Sequence, residues 1–172
     1  TFWKWYIRSI IKSDFHEFSF DLGFRVDEGK SILILGNHFS WWDGFFVYEL
    51  NRLLFKKRFH VMMTEENLRK NSILRGAGAY SINKTDGREM LKSLQYSAQL
   101  LSEPNNLVLM FPQGQIESLH REQLTFQPGL MRIIKQAKSP FQLVFCANLP
   151  DYYSERKPTL KVFLHNYEGE MN

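Results

Sequence analysis

The spacing of apolar positions changes several times along this 172-residue chain, and each change marks an element. In the opening residues Phe2, Trp3, Tyr6, Ile7, Ile10 and Ile11 recur at helical spacing with Lys4, Arg8 and Lys12 opposite, which predicts an amphipathic helix over 1–12. Residues 16–26 (HEFSFDLGFRV) partly alternate apolar with polar, and 31–36 (SILILG) form a short apolar run. The turn-like 27–30 (DEGK) between them predicts that the two strands pair as an antiparallel hairpin. From Asp43 to about Phe55 apolar residues return every three or four positions, a helix with a carboxylate near its N-terminus, where unpaired amides favour it. A strand at 59–64, a short helix at 65–70, a glycine-rich stretch at 75–84 and a helix from 87 to 101 follow. The chain then reads as a buried strand at 107–111, a polar loop, a helix from 128 to 137, and strands at 142–147 and 159–165.

Strands alternating with helices predict an α/β fold: a mixed, largely parallel central sheet flanked by helices, with hairpin-type strands at its edges and the amphipathic helix at the N-terminus. No repeat, low-complexity segment or linker divides residues 1–172, so a single domain is expected. In such sheets ligands gather beyond the carboxyl ends of the strands. His38 follows one strand end and 111–115 (FPQGQ) another, so both can face one crevice.

Composition adjusts this picture in a few respects. Twenty-two basic residues against 18 acidic ones give a formal charge of +4, a bias toward anionic partners such as phosphorylated cofactors, acidic carrier proteins or anionic lipid surfaces. Aromatic residues make up 15% of the chain, which suggests apolar ligands or membrane contact as well as core packing. No apolar run reaches the roughly 18 residues of a spanning helix, and the opening segment does not read as a cleavable signal peptide. Helix 1–12 has two readings, an interfacial helix lying on a membrane or a terminal helix packed on its own domain. The basic cluster 52–58 (RLLFKKR) with Arg69 and Lys70 can meet anionic groups or be a solvated surface. The single cysteine, Cys146, reads as a small buried hydrophobe and favours a reducing compartment. The remaining histidines have no ligand spacing, so no metal is expected.

The chemistry centres on 36–46 (GNHFSWWDGFF). A hydroxyl attacking a carbonyl needs a base near neutral pH, and histidine suits that task. A carboxylate on the other ring nitrogen fixes the tautomer and stabilises the imidazolium that forms. His38 on a strand-end loop and Asp43 at the next helix start can meet across the turn, although such spacing also arises by chance around structural histidines. Trp41 and Trp42 beside the pair can line an apolar channel, dip into lipid or pack in the core.

Three further segments turn this pair into a resemblance. Asn37 to Asp43 reads N-H-x-x-x-x-D, 78–84 (GAYSINK) looks like G-x-I-F-I-x-R, and 111–118 (FPQGQIES) looks like F-P-E-G-T-R-S. Residues 128–145 supply a looser fourth match. In these blocks the chain resembles the glycerolipid (1-acylglycerol-3-phosphate) acyltransferase family. The resemblance implies that family's fold, and transfer of a fatty acyl group from an acyl thioester, coenzyme A or acyl carrier protein, to a hydroxyl or amine of a lipid-like acceptor. It makes His38 the general base and Asp43 its orienter, with Asn37, Lys84, Phe111, Pro112, Gln113, Gly114 and Gln115 around the substrates. Gly114 is where a backbone amide can approach the reacting group. No cofactor need be tightly bound; the donor is a co-substrate, and no nucleic-acid partner is expected. The implied place is peripheral, on the cytoplasmic side of a membrane.

The chain departs from the family pattern at Gln113 for an acid, Gln115-Ile116 for Thr-Arg, and Lys84 for arginine. In the family those arginines are associated with an acceptor phosphate, a role that isoleucine cannot fill. An acceptor other than lysophosphatidate is therefore expected, one with a neutral polar head held by amide hydrogen bonds from the two glutamines. Lys84, Arg88 and Arg121 are the alternative cations. A thioesterase-like hydrolase and a non-catalytic lipid- or acyl-carrier-binding module are the other readings.

Overall fold

The structure, a computed structural model, describes residues 2–169; Thr1, where the predicted first helix begins, and residues 170–172 of the expected single domain lie outside the described residues. Helix α1 spans Phe2–Asp14 and is followed by β1 (Glu17–Leu22), β2 (Ser31–Gly36), α2 (Asp43–Leu50), β3 (Arg58–Thr64), α3 (Glu65–Lys70) and β4 (Ala79–Ile82). Helix α4 (Gly87–Leu100), β5 (Asn106–Met110), α5 (Gly129–Gln136), β6 (Phe141–Asp151) and β7 (Thr159–Asn166) complete the chain. The strands form one sheet in the order β1-β7-β6-β2-β5-β3-β4. Every pairing is parallel except β6 with β7, which a hairpin joins across 152–158.

Strand β2 sits at the centre because both its faces are apolar and all six of its residues are buried. Ile32 and Ile34 join the core under α1 and α2, and Leu33 and Leu35 join the core under α4 and α5, as a two-residue period requires. The expected hairpin between 16–26 and 31–36 does not form. The 27–30 turn exists, with Lys30 N–H bonded to Asp27 O at 3.2 Å, but β6 and β7 stand between β1 and β2. A strand buried on both sides takes its neighbours from the apolar β5 and β6. The half-exposed β1 is left at the edge, where it pairs in parallel with β7, Glu17 opposite Thr159.

Helix α1 lays its apolar stripe on the protein itself. Ile7 and Ile11 are buried, with Trp3, Tyr6 and Ile10 packed beside them, while Lys4, Trp5, Arg8 and Lys12 face outward. The interfacial reading of that stripe therefore loses most of its apolar face, and Phe2, 60% exposed, and Trp5, 70% exposed, remain outside. The helix expected over 43–55 is α-helical to Leu50 and continues as a π turn over Asn51–Phe55. The buried Asn51 causes the change, since its side chain bonds both the N–H and the C=O of Lys57 and draws the chain into a turn.

Because β2, β3, β4, β5 and β6 run the same way, their carboxyl ends share one edge. The loops carrying His38, Lys84 and 111–115 all leave from that edge.

Candidate active site

Asn37 fixes the point where the chain leaves β2. Its N–H bonds Cys146 O at 3.2 Å, its Nδ2 donates to Asn148 O at 3.0 Å, and its Oδ1 accepts the Asn148 N–H at 2.8 Å. The side chain expected at the substrate thus extends the β2–β6 ladder. One residue on, His38 Nδ1 lies 2.8 Å from Asp43 Oδ2. Asp43 is 0% exposed; Oδ2 also accepts the N–H groups of Phe39 (2.9 Å) and Ser40 (3.0 Å), and Oδ1 accepts the Ser40 hydroxyl (3.2 Å). A carboxylate can only accept, so this contact requires the proton on Nδ1 and leaves the lone pair of a neutral ring on Nε2. Nε2 has no hydrogen-bond partner among the described residues, and the side chain is 21% exposed. The imidazole stacks on Phe111 with ring centres 4.1 Å apart and planes 15° off parallel, which fixes its tilt. Gly36 makes room for the Phe111 ring, since a Cβ there would stand 3.1 Å from it.

Ser40 has a part that the sequence reading did not assign. In residues 40–43 (SWWD) the Asp43 carboxylate reaches back to the Ser40 amide, as the acid of an S-x-x-D pattern does, while the Ser40 hydroxyl accepts the Trp42 N–H at 3.2 Å. That signal was available in the sequence.

The segment after β5 folds against the same point. Phe111 O accepts the Gly114 N–H at 3.0 Å, closing a turn in which Gly114 has φ +73°, a conformation that favours glycine. The Gly114 amide is therefore engaged within the turn, and that of Gln115 has no partner among the described residues. Pro112 is buried and its carbonyl accepts Gln127 N–H at 2.8 Å. Gln113 is 4% exposed and both ends of its amide are used: Oε1 accepts the His38 N–H at 2.8 Å and Nε2 donates to Glu117 Oε2 at 3.0 Å. Glu117 returns its own N–H to His38 O at 2.8 Å, so the loop holds the His38 backbone on both sides. Glu117 Oε1 accepts from Gln115 Nε2 at 3.0 Å and from the Arg121 guanidinium. These bonds, Gln113 first and then Gln115, hold the Glu117 carboxyl below the usual carboxylate range. Lys84 Nζ donates to Gly114 O, tying the second block to the third.

The model of the family described as Acyltransferase matches residues 22–147, most of the chain. The chain belongs to the acyltransferase family. Its fold is similar to the crystal structure of the 1-acyl-sn-glycerophosphate (LPA) acyltransferase PlsC from Thermotoga maritima, with a TM-score of 0.63 over 98% of this chain and 70% of that one, at 14% sequence identity. No curated protein matches the chain in sequence. The expected family and the largely parallel, helix-flanked sheet are therefore found.

In this acyltransferase the two glutamines do not serve as free amides. Gln113 is sealed between His38 and Glu117, and Gln115 Nε2 also turns to Glu117. A carboxylate four residues downstream stands against the position where the family pattern places its acid. A glutamate at 113 would bring two carboxylates to about hydrogen-bond distance. Gln113→Glu is therefore expected to cut turnover about tenfold, and Gln113→Glu with Glu117→Gln to recover most of it, because the pair only exchanges amide and carboxylate. A double-mutant cycle on kcat/KM checks this.

Of the other candidates, Trp42 is partly buried against the core, edge-on to Phe15 with centroids 5.5 Å apart, while Trp41 stands 61% exposed at the rim. Cys146 is buried, and burial pushes its thiol up to about 12, so it does not act as a thiolate. Arg88 is exposed in the first turn of α4. The basic cluster is divided: 52–58 lead into β3, and Arg69 and Lys70 lie beyond its carboxyl end, where Lys70 pairs with Glu66 at 2.7 Å.

Proposed function

We propose that this chain transfers an acyl group from a thioester to a hydroxyl or amine of a lipid-like acceptor, with His38 as general base. The observation that carries the proposal is the 2.8 Å contact of His38 Nδ1 with a fully buried carboxylate while Nε2 stays unpartnered. Nε2 takes the proton of the acceptor as its oxygen or nitrogen attacks the thioester carbon. Asp43 stabilises the imidazolium. The tetrahedral intermediate collapses with cleavage of the C–S bond, and the imidazolium returns its proton to the leaving thiolate. No acyl-enzyme forms, because the thioester is already activated and the protein supplies proximity, a base and hydrogen bonds to the oxyanion. The unpartnered Gln115 amide is the donor we assign to that oxyanion.

The acceptor carries a polar head without a phosphomonoester. Arg121 is neutralised by Glu117, and Lys84, tethered to the Gly114 carbonyl, offers a point charge rather than the bidentate fork of an arginine. The donor is acyl-coenzyme A or an acyl carrier protein, either of which suits a chain of charge +4. The edge bearing His38 rests on a membrane surface: Trp41, Ile116, Leu119, Leu124 and Phe126 are exposed there, and no helix among the described residues is long and apolar enough to cross a bilayer. Peripheral attachment on the cytoplasmic side agrees with the free, buried Cys146.

The test is to incubate the purified chain with acyl-labelled coenzyme A or carrier protein and a total lipid extract, and to identify labelled products by mass spectrometry. The expected result is a new acylated lipid. Free fatty acid formed equally fast with and without the extract would instead mean a hydrolase, and no turnover with either donor would leave a binding module.

A further inference from the structure

At the opposite edge of the sheet, where β3 and β4 begin, a recess of about 440 Å³ opens between α1, the π turn after α2 and the segment before β4. This size suits a small ligand. Five basic residues line it, Lys4, Arg52, Lys56, Lys57 and Arg75, and no acidic residue does. Two of the five are committed. Arg52 is held bidentately by Glu49, at 2.7 and 2.8 Å, and Lys57 Nζ donates to the carbonyls of Glu28 and Pro104. Lys4, Lys56 and Arg75 have no side-chain hydrogen bond or ion pair among the described residues, so three positive charges converge on one concavity uncompensated.

The floor is built for close approach. Gly76 lies against the Trp3 indole, where a Cβ would stand 2.9 Å from Nε1, and Gly78, at φ +98°, would place a Cβ 1.9 Å from Phe59 O. Trp3 is half-buried and its indole N–H has no acceptor among the described residues. A solvent-accessible indole donor, three unpaired cations and glycine backbone together suit an anion with several oxygens.

We propose that this recess binds a phosphate group, with Lys56, Arg75 and Lys4 supplying charge and the Trp3 indole a directional hydrogen bond. The site is separate from the His38 chemistry, because the seven residues of β3 at about 3.3 Å each put roughly 20 Å between the two edges. It differs from the acceptor position as well, where Lys84 is tied to the Gly114 carbonyl and Arg121 to Glu117. The phosphate belongs either to a soluble phosphorylated molecule or to an anionic lipid headgroup reached by the basic face of α1; the recognising chemistry is the same.

Binding is measured by calorimetry with inorganic pyrophosphate, and by sedimentation with phosphatidylcholine vesicles with and without phosphatidic acid, for the full chain and for Lys56→Glu with Arg75→Glu. The proposal expects binding of pyrophosphate, of the phosphatidic acid vesicles or of both, weakened at least tenfold in the variant while acyl transfer in detergent is kept. Pyrophosphate binding without vesicle binding identifies a soluble ligand, and the reverse a headgroup. Trp3→Phe, which keeps one aromatic ring and removes the pyrrole with its N–H, is expected to weaken binding severalfold, and its melting temperature measured beside the affinity separates lost packing from the lost donor. Absence of binding to both probes, or binding that the charge reversals leave unaltered, overturns the proposal.

Discussion

His38→Ala is expected to lower acyl transfer by about 10² or more in kcat while leaving KM for the thioester nearly unchanged. The ring makes one strong side-chain hydrogen bond and one stacking contact, so its loss removes little packing. Asp43 keeps the two backbone N–H donors and the Ser40 hydroxyl after the truncation, and the loop stays anchored because Gln113 and Glu117 bond the His38 backbone rather than its ring. A folded protein without a base is the expected product. His38→Gln sharpens the comparison, because its amide can donate to Asp43 but has no basic nitrogen. Both variants should keep the wild-type circular dichroism and lose turnover alike. If free imidazole restores part of the His38→Ala activity, the missing element is the base itself.

Asp43→Asn is expected to fold and to lose about 10²-fold in activity, with a stability cost of no more than about 2 kcal/mol. The asymmetry follows from how the two oxygens are used. Oδ2 faces three donors, and Oδ1 faces only the Ser40 hydroxyl, which can turn from donating to accepting. An asparagine therefore keeps its oxygen on the three donors and offers its NH2 to Ser40, and what disappears is the negative charge that stabilises the imidazolium. Asp43→Ala is different, because it strands three donors in a buried place at about 1–3 kcal/mol each. Thermal melts of the two variants beside their rates separate the electrostatic contribution of Asp43 from its role in holding the loop.

The site was legible in the sequence to the extent that it depends on local order. The run from Ser31 to Gly36, its glycine end and the apolar helix after Asp43 place His38 and Asp43 across one turn, and parallel strands bring the 111–115 loop to the same edge. What local order does not carry is partner choice at long range. Glu17–Leu22 lies beside Thr159–Leu164, far along the chain, and no turn near residue 27 announces it. Gln113 illustrates the same limit within one loop. Set beside the family pattern it looks like a lost acid and a free amide, yet the chain folds back within four residues so that Glu117 meets it and the amide is sealed. Arg58 and Arg69 are near neighbours in sequence, and β3 carries them to opposite edges of the sheet.

Nitrogen-15 NMR of His38 tests the mechanism at its root, with the resonance assigned by comparison with His38→Gln and recorded where the ring is neutral. The geometry predicts a proton on Nδ1, donated to Asp43, and an Nε2 with the chemical shift of an unprotonated nitrogen ready to take the acceptor's proton. A proton found on Nε2 would mean that the exposed nitrogen is no base in the resting protein, and the assignment of His38 would fall.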